Sequence, residues 1–355
     1  MYEVSLLPGI SQNRIKTDRL EVAYLEAGGS ANMPVVLVHG NVSCSWFFEE
    51  LIIALSEAGY KVYAPDMRGY GNSETLPVNS TRGVKDFADD LFSFVQALEL
   101  GKFHLMGWSL GGNICIEYAT AHPETIRSLT LESPGSPFGF GGTHDTDGKP
   151  NYPDFAGCGG GAVNPDFRQR MLDKDTGDES PNSPRNVMNT FYFKPPFKVD
   201  TRSEDLFVQA MLSTKVGEDN WPGDFTPSAN WPNIAPGTRG VNNTLSPGYL
   251  RQDAFANVDP KPPVLWIRGD SDQIVSDSSF FDMGYLGQLG FVPGWPGNEV
   301  FPPQPMVSQM RYLLDQYKSN GGEYAEVVLA DSGHSPHIEK PEEFKQHFFS
   351  FVANR

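Results

Sequence analysis

The residues best placed to do chemistry in this 355-residue chain lie in the run Phe103-His104-Leu105-Met106-Gly107-Trp108-Ser109-Leu110-Gly111-Gly112. An apolar strand-like stretch there ends in Gly-x-Ser-x-Gly, and a helix-like stretch follows at once. The pattern nominates Ser109 as a nucleophile. A strand turning sharply into a helix holds its serine in a strained conformation, so side chains two positions to either side would collide. A serine hydroxyl also needs a histidine to take its proton, a carboxylate to orient that histidine, and backbone N–H donors for the oxyanion. On this kind of turn they come in the order oxyanion loop, serine, acid, histidine, and the sequence supplies each in that order.

These groups require a scaffold that brings strand ends together. Arg14 to Leu25 alternates around Thr17-Asp18-Arg19 and predicts a hairpin, and Val35-Val36-Leu37-Val38 predicts a buried strand ending at His39-Gly40. A helical stretch at 46–58, a strand at Lys61–Ala64 and a helix carrying Phe87, Leu91, Phe94, Val95 and Leu98 on one face follow. The strand before Ser109, a helix from Leu110 to about Ala121 and a strand at Ser128–Leu131 continue a βαβ alternation. It lapses from about Ser133 to Pro262 and resumes with Val264–Ile267, Ala325–Leu329 and a last helix presenting Phe344, Phe348, Phe351 and Val352.

The core is therefore expected in 1–132 and 263–355, with 133–262 as an inserted cap. That insertion is rich in Gly, Pro, Asn and Asp, yet Phe191, Tyr192, Phe193, Phe197, Trp221, Phe225 and Trp231 give it the apolar area a disordered segment lacks. An ordered, loop-rich cap is predicted, with Asp154–Glu179 its most mobile part.

A net charge of −17, from 44 acidic and 27 basic residues, argues against nucleic acid and anionic membrane as partners. No stretch approaches the roughly 18 consecutive apolar residues of a membrane span, and the first 30 residues lack a signal-peptide core. A cytoplasmic protein is the expectation. Cys44, Cys115 and Cys158 are an odd count at unrelated spacings, which suits reduced thiols. No cofactor or metal is implied: Gly159-Gly160-Gly161 lacks the Lys-Ser/Thr of a phosphate loop, and no His/Cys/carboxylate group has ligand spacing.

Taken together, His39-Gly40, Asp66-Met67-Arg68-Gly69-Tyr70-Gly71-Asn72-Ser73, Gly107-Trp108-Ser109-Leu110-Gly111-Gly112, Gly269-Asp270-Ser271-Asp272 and Gly333-His334 resemble the motifs of the α/β-hydrolase superfamily, in family order. The resemblance implies a doubly wound, mostly parallel eight-stranded sheet, with the site at the carboxyl ends of the strands and the cap after the sixth. It implies His334 as base, with His337 as neighbouring competitor, and Asp272 as acid, three residues beyond the glycine ending the seventh strand. Asp270 is then a turn residue, and Glu132, ending the sixth strand, is the second candidate acid. The oxyanion donors would be the backbone amides of Leu110 and Asn41, and His39 would shape its loop without transferring protons. Asn41 also resembles the His-Gly-Asn loop of haloalkane dehalogenases, but their nucleophile is aspartate, and serine at 109 argues against dehalogenation.

About 60 residues separate Asp272 from His334, so a second, smaller insertion is expected at about 276–322. Phe280, Phe281, Tyr285, Phe291, Val292 and Trp295 make it aromatic, and together with the cap it would enclose an apolar pocket, with Trp108, Trp221 and Trp295 as candidate substrate-binding residues. The function expected is a serine hydrolase cleaving a small, largely apolar carboxylic ester or lactone through an acyl-enzyme at Ser109. The alternatives are amide or carbon–carbon bond hydrolysis, acyl transfer or perhydrolysis by the same triad, or a ligand-sensing protein on this fold.

Overall fold

The structure is a computed structural model that describes residues 5–30 and 32–355. Eight strands form one sheet: β1 Ser11–Lys16, β2 Glu21–Ala27, β3 Pro34–Val38, β4 Lys61–Pro65, β5 Phe103–Trp108, β6 Ile126–Glu132, β7 Val264–Gly269 and β8 Tyr324–Leu329. Their order is β1-β2-β4-β3-β5-β6-β7-β8. Only β2 runs against the rest: it is antiparallel to β1 and β4, whereas the pairs from β4 to β8 are parallel. This is the doubly wound sheet the resemblance implies.

The apolar runs account for the layering. Val35, Val36, Leu37 and Val38 are fully buried, as a parallel strand covered on both faces must be. The helix Lys85–Ala97 buries Phe87, Leu91, Phe94 and Val95 on one face. Its Asp90 carboxylate, also buried, takes a two-pronged contact from Arg68, with Nη2 2.7 Å from Oδ1 and Nε 2.5 Å from Oδ2. That ion pair ties the loop after β4 to the helix layer.

Between β6 and β7 the chain folds over the strand ends as short helices and tight turns. The helix Thr201–Leu212 is capped by Asp200 and lays Phe207 on Phe47, with ring centroids 4.4 Å apart at an interplanar angle of 14°. The helix Pro165–Asp173 stands in the stretch predicted to be most mobile. Asn164 caps it by accepting from the amides of Asp166 and Phe167, and Pro165 occupies its first position, so Asn-Pro here is a helix start.

Between β7 and β8, Met306–Ser319 is a helix burying Met306, Met310, Leu313, Leu314 and Tyr317. Two parallel neighbours require such a crossover, so this part of the second insertion belongs to the sheet's own wiring. The three cysteines are buried and free. No helix among the described residues is long and apolar enough to cross a membrane.

Candidate active site

Ser109 sits between the end of β5 and the helix Leu110–Ala121, at φ 57° and ψ −122°. A side chain held there carries strain of about 1–3 kcal/mol, which the surrounding structure must impose. The glycines explain how. A Cβ on Gly107 would lie 2.2 Å from the Gly111 carbonyl oxygen, and one on Gly111 would lie 2.2 Å from that of Val38. The Ser109 amide donates to the Glu132 carbonyl at 2.9 Å, fixing the turn to β6. A Cβ on Gly40 would stand 2.9 Å from that of Ser109, so the loop after β3 runs directly over the serine.

His334, on the loop after β8, and Asp272, on the loop after β7, meet at 2.8 Å between Nδ1 and Oδ2. The other Asp272 oxygen accepts from the amides of Ile274 and Val275 at 2.8 and 3.0 Å. Both carboxylate oxygens are thereby fixed, and His334 has a defined ring orientation. Its Nε2 makes no hydrogen bond among the described residues, and the histidine lines the same cavity as Ser109.

The histidine loop is itself held. Glu339 accepts from the amide of Gly333 at 2.8 Å through one oxygen and from that of Lys194 at 2.7 Å through the other, tying the loop to the insertion; burial pushes its carboxyl above the usual range. The Trp108 indole N–H donates to the His334 carbonyl at 2.8 Å. Asp270 accepts from the Asp331 amide at 3.0 Å and from Ser271, a turn contact.

Glu132 is with the other histidine. Its Oε1 accepts from the His337 amide and lies 2.8 Å from His337 Nδ1, while His337 Nε2 lies 3.2 Å from the Phe47 carbonyl. Asp272, and not Glu132, is thus the carboxylate on His334.

Directly after Ser109, the Leu110 amide is the first of its helix, one of the four N–H groups a helix leaves without an internal partner. The Asn41 amide likewise donates to nothing among the described residues. His39 accepts from the Met67 amide at Nε2 and donates from Nδ1 to the Gly40 carbonyl at 2.8 Å, so both ring nitrogens serve the loop. Burial lowers its pKa to about 4.

A cavity of about 490 Å³ opens above these groups, a size suited to a small-molecule ligand. Phe167, Trp221, Phe191, Phe280, Phe281 and Leu286 are among its apolar walls, and Asn164, Asn182 and Asn242 add carboxamides. No Lys, Arg, Asp or Glu lines it among the described residues. Of the three tryptophans named as candidate substrate-binding residues, Trp108 and Trp221 line this cavity and Trp295 does not. Trp295 packs on Gly287 and donates its indole N–H to the Phe301 carbonyl at 2.9 Å, because a short turn from Gly294 to Phe301 folds that ring back onto its own segment.

Two lining residues escaped the sequence reading in this role. Tyr192 counted there only as apolar mass, yet its hydroxyl donates to the carbonyls of Asn41 and Val42, each at 3.1 Å. Asn242 accepts from Asn41 Nδ2 at 2.9 Å. Neither stands in a motif, so no signal in the chain marked them.

Residues 33–174 match the family model described as alpha/beta hydrolase fold. Over 120 residues the chain is 31% identical to the 2-hydroxy-6-oxononadienedioate/2-hydroxy-6-oxononatrienedioate hydrolase of Burkholderia vietnamiensis; that match spans 33% of this chain and 41% of the relative. The chain thus aligns with only about two fifths of that relative's length. Among solved structures, a carboxylesterase from Bacillus subtilis superposes with a TM-score of 0.59 at 15% identity, covering 98% of this chain and 92% of its own. An esterase from Exiguobacterium antarcticum gives a TM-score of 0.58 at 17% identity, covering 97% of this chain and 100% of its own.

Proposed function

We propose, from the α/β-hydrolase fold that this chain carries, that it is a serine hydrolase of uncharged carboxylic esters or lactones. The observation that carries this reading is the convergence on one cavity of Ser109, of His334 with its Nδ1 on Asp272, and of two uncommitted amides, Leu110 and Asn41. In the reaction, His334 Nε2 takes the Ser109 proton as Oγ attacks the ester carbonyl carbon, and Asp272 stabilises the imidazolium. The carbonyl oxygen becomes an oxyanion facing the two amides. Collapse expels the alcohol, protonated by His334, and a water activated by the same histidine releases the acid from Ser109.

The cavity wall supports a neutral substrate. The relative from Burkholderia vietnamiensis is named for a dienedioate, which is a dicarboxylate. A dicarboxylate taken out of water calls for cationic partners, and the cavity offers no Lys or Arg among the described residues. Segment 133–262 serves as a cap and the insertion within 276–322 as its smaller companion, a reading supported by the aromatic side chains each gives to the cavity wall.

The test is a panel of p-nitrophenyl esters and lactones graded by acyl length, run beside Ser109→Ala. Sustained turnover of neutral esters, abolished in the variant, is expected. Labelling of Ser109 with no steady product release would instead favour a ligand-sensing role, and turnover confined to dicarboxylates would overturn the neutral-substrate reading.

A further inference from the structure

We infer that Tyr192 and Asn242, both contributed by the segment between β6 and β7, are positioning residues that hold the second oxyanion donor, the Asn41 amide, in place. The inference rests on the reading of Asn41 as such a donor. Four hydrogen bonds surround this one residue. Its Oδ1 accepts from the Tyr70 hydroxyl at 2.7 Å and from the Val42 amide at 3.0 Å. Its Nδ2 donates to Asn242 at 2.9 Å, and its carbonyl accepts from Tyr192 at 3.1 Å. Among the described residues, every polar atom of Asn41 is committed except the N–H that would face the oxyanion.

The surroundings make these contacts consequential. Val42 sits at φ 49°, a left-handed conformation that a β-branched residue adopts only when its neighbours impose it. The Tyr192 hydroxyl bridges the two backbone carbonyls that flank Val42, so it grips the strained residue itself. Its ring packs 5.8 Å from that of Trp108 and 6.2 Å from that of His334. Tyr192 also closes the five-residue wide-turn helix Met188–Tyr192, a form that recurs at functional sites. With two carbonyls on its hydroxyl, Tyr192 has no proton left for a substrate. Asn242 lies on the one-turn helix Val241–Thr244, 201 positions beyond Asn41 in the chain. The insertion therefore does more than roof the cavity: two of its side chains fix the geometry of a group belonging to the core.

An oxyanion donor acts only where it points, and losing one costs roughly 10² to 10³ in turnover. Loosening it without deleting it is expected to cost less, about tenfold for Tyr192→Phe or Asn242→Leu, since a misplacement of 1 Å can cost on the order of 10². The test measures kcat and KM with a short neutral p-nitrophenyl ester, and separately the rate at which a fluorophosphonate modifies Ser109, whose transition state also places an oxygen among these amides. The expected result is a kcat about tenfold lower in each variant, with KM within twofold, phosphonylation slowed by the same factor and the pH profile of kcat unmoved. The inference is overturned if kcat and phosphonylation stay within twofold of wild type in both variants, or if KM rises while kcat holds. Should wild type turn over no ester yet be phosphonylated more slowly in the variants, the ester reading falls and the positioning role survives. Unslowed phosphonylation would leave the ester reading standing and remove the positioning role.

Discussion

Two histidine–carboxylate pairs place their histidines, His334 and His337, three residues apart after β8, and only one pair faces the cavity. Asp272–His334 and Glu132–His337 have the same Nδ1-to-oxygen separation of 2.8 Å, and both are almost fully buried, with side-chain exposures of 3% on each side of the first pair and of 1% and 0% in the second. Their difference lies at the other ring nitrogen. His337 Nε2 is taken up by the Phe47 carbonyl, whereas His334 Nε2 has no partner among the described residues and its ring borders the cavity with Ser109. A carboxylate beside a histidine is therefore not the mark of a general base; a free second nitrogen next to a nucleophile is. The Glu132 pair serves instead to pin the loop after β8 to the end of β6, with the Trp108 ring lying 5.7 Å from His334 and 5.4 Å from His337.

Substitutions separate the two pairs. Ser109→Ala removes the proposed nucleophile beside the first pair, and ester turnover should fall by about 10⁶ with little change in melting temperature. Asp272→Asn leaves a similar shape but an amide that can favour the wrong ring tautomer, so kcat should drop by about 10⁴. If Asp272→Asn kept wild-type kcat while Glu132→Gln lost it, the roles assigned to the pairs would be exchanged. His337→Leu strips the partner from a carboxyl group buried at the end of β6, one of whose oxygens already has no hydrogen-bond partner among the described residues. Chemical denaturation should show a loss of about 3 kcal/mol, while the protein that remains folded keeps kcat within about tenfold.

The effect that is smallest per pH unit concerns histidines of neither pair. Burial lowers the pKa of His39 and of His104 to about 4, from 6.5. Between pH 6.5 and 4 the unfolded chain takes up protons at both sites that the folded protein refuses, so each contributes a loss of stability as pH falls, up to about 1.4 kcal/mol per pH unit. Asp282 works in the other direction: burial raises its carboxyl to about 6, so between pH 6 and 4 the folded protein holds a proton that the unfolded chain releases. Unfolding followed across this window should show a loss of stability on acidification that the two histidines steepen and Asp282 offsets in part. His104→Gln should flatten it.

The legibility of the molecule divides along the same line as the two pairs. The central strands were readable because parallel strands buried on both faces are continuous apolar runs, and the Ser109 turn because its glycines answer a local steric demand. The helix Pro165–Asp173 was missed although its start was written in Asn164-Pro165, since a proline in a glycine-rich stretch reads first as a loop. Trp295 was misplaced because an aromatic residue in an insertion gives no sign of whether it faces the cavity or its own segment. Tyr192 and Asn242 carried no signal at all, being ordinary residues whose significance lies in the carbonyl and amide groups they meet.

Local rules acting over a few residues thus determined the strand order's raw material, the strained serine and the positions open to an acid and a base. The pairing of two carboxylates with two histidines was decided only in three dimensions. Asp272 and His334 are 62 positions apart, and Glu132 and His337 are 205. Spacing along a chain constrains neighbours within a turn or a strand; which distant loops meet, and which ring nitrogen is left free, follows from how the sheet brings its strand ends together.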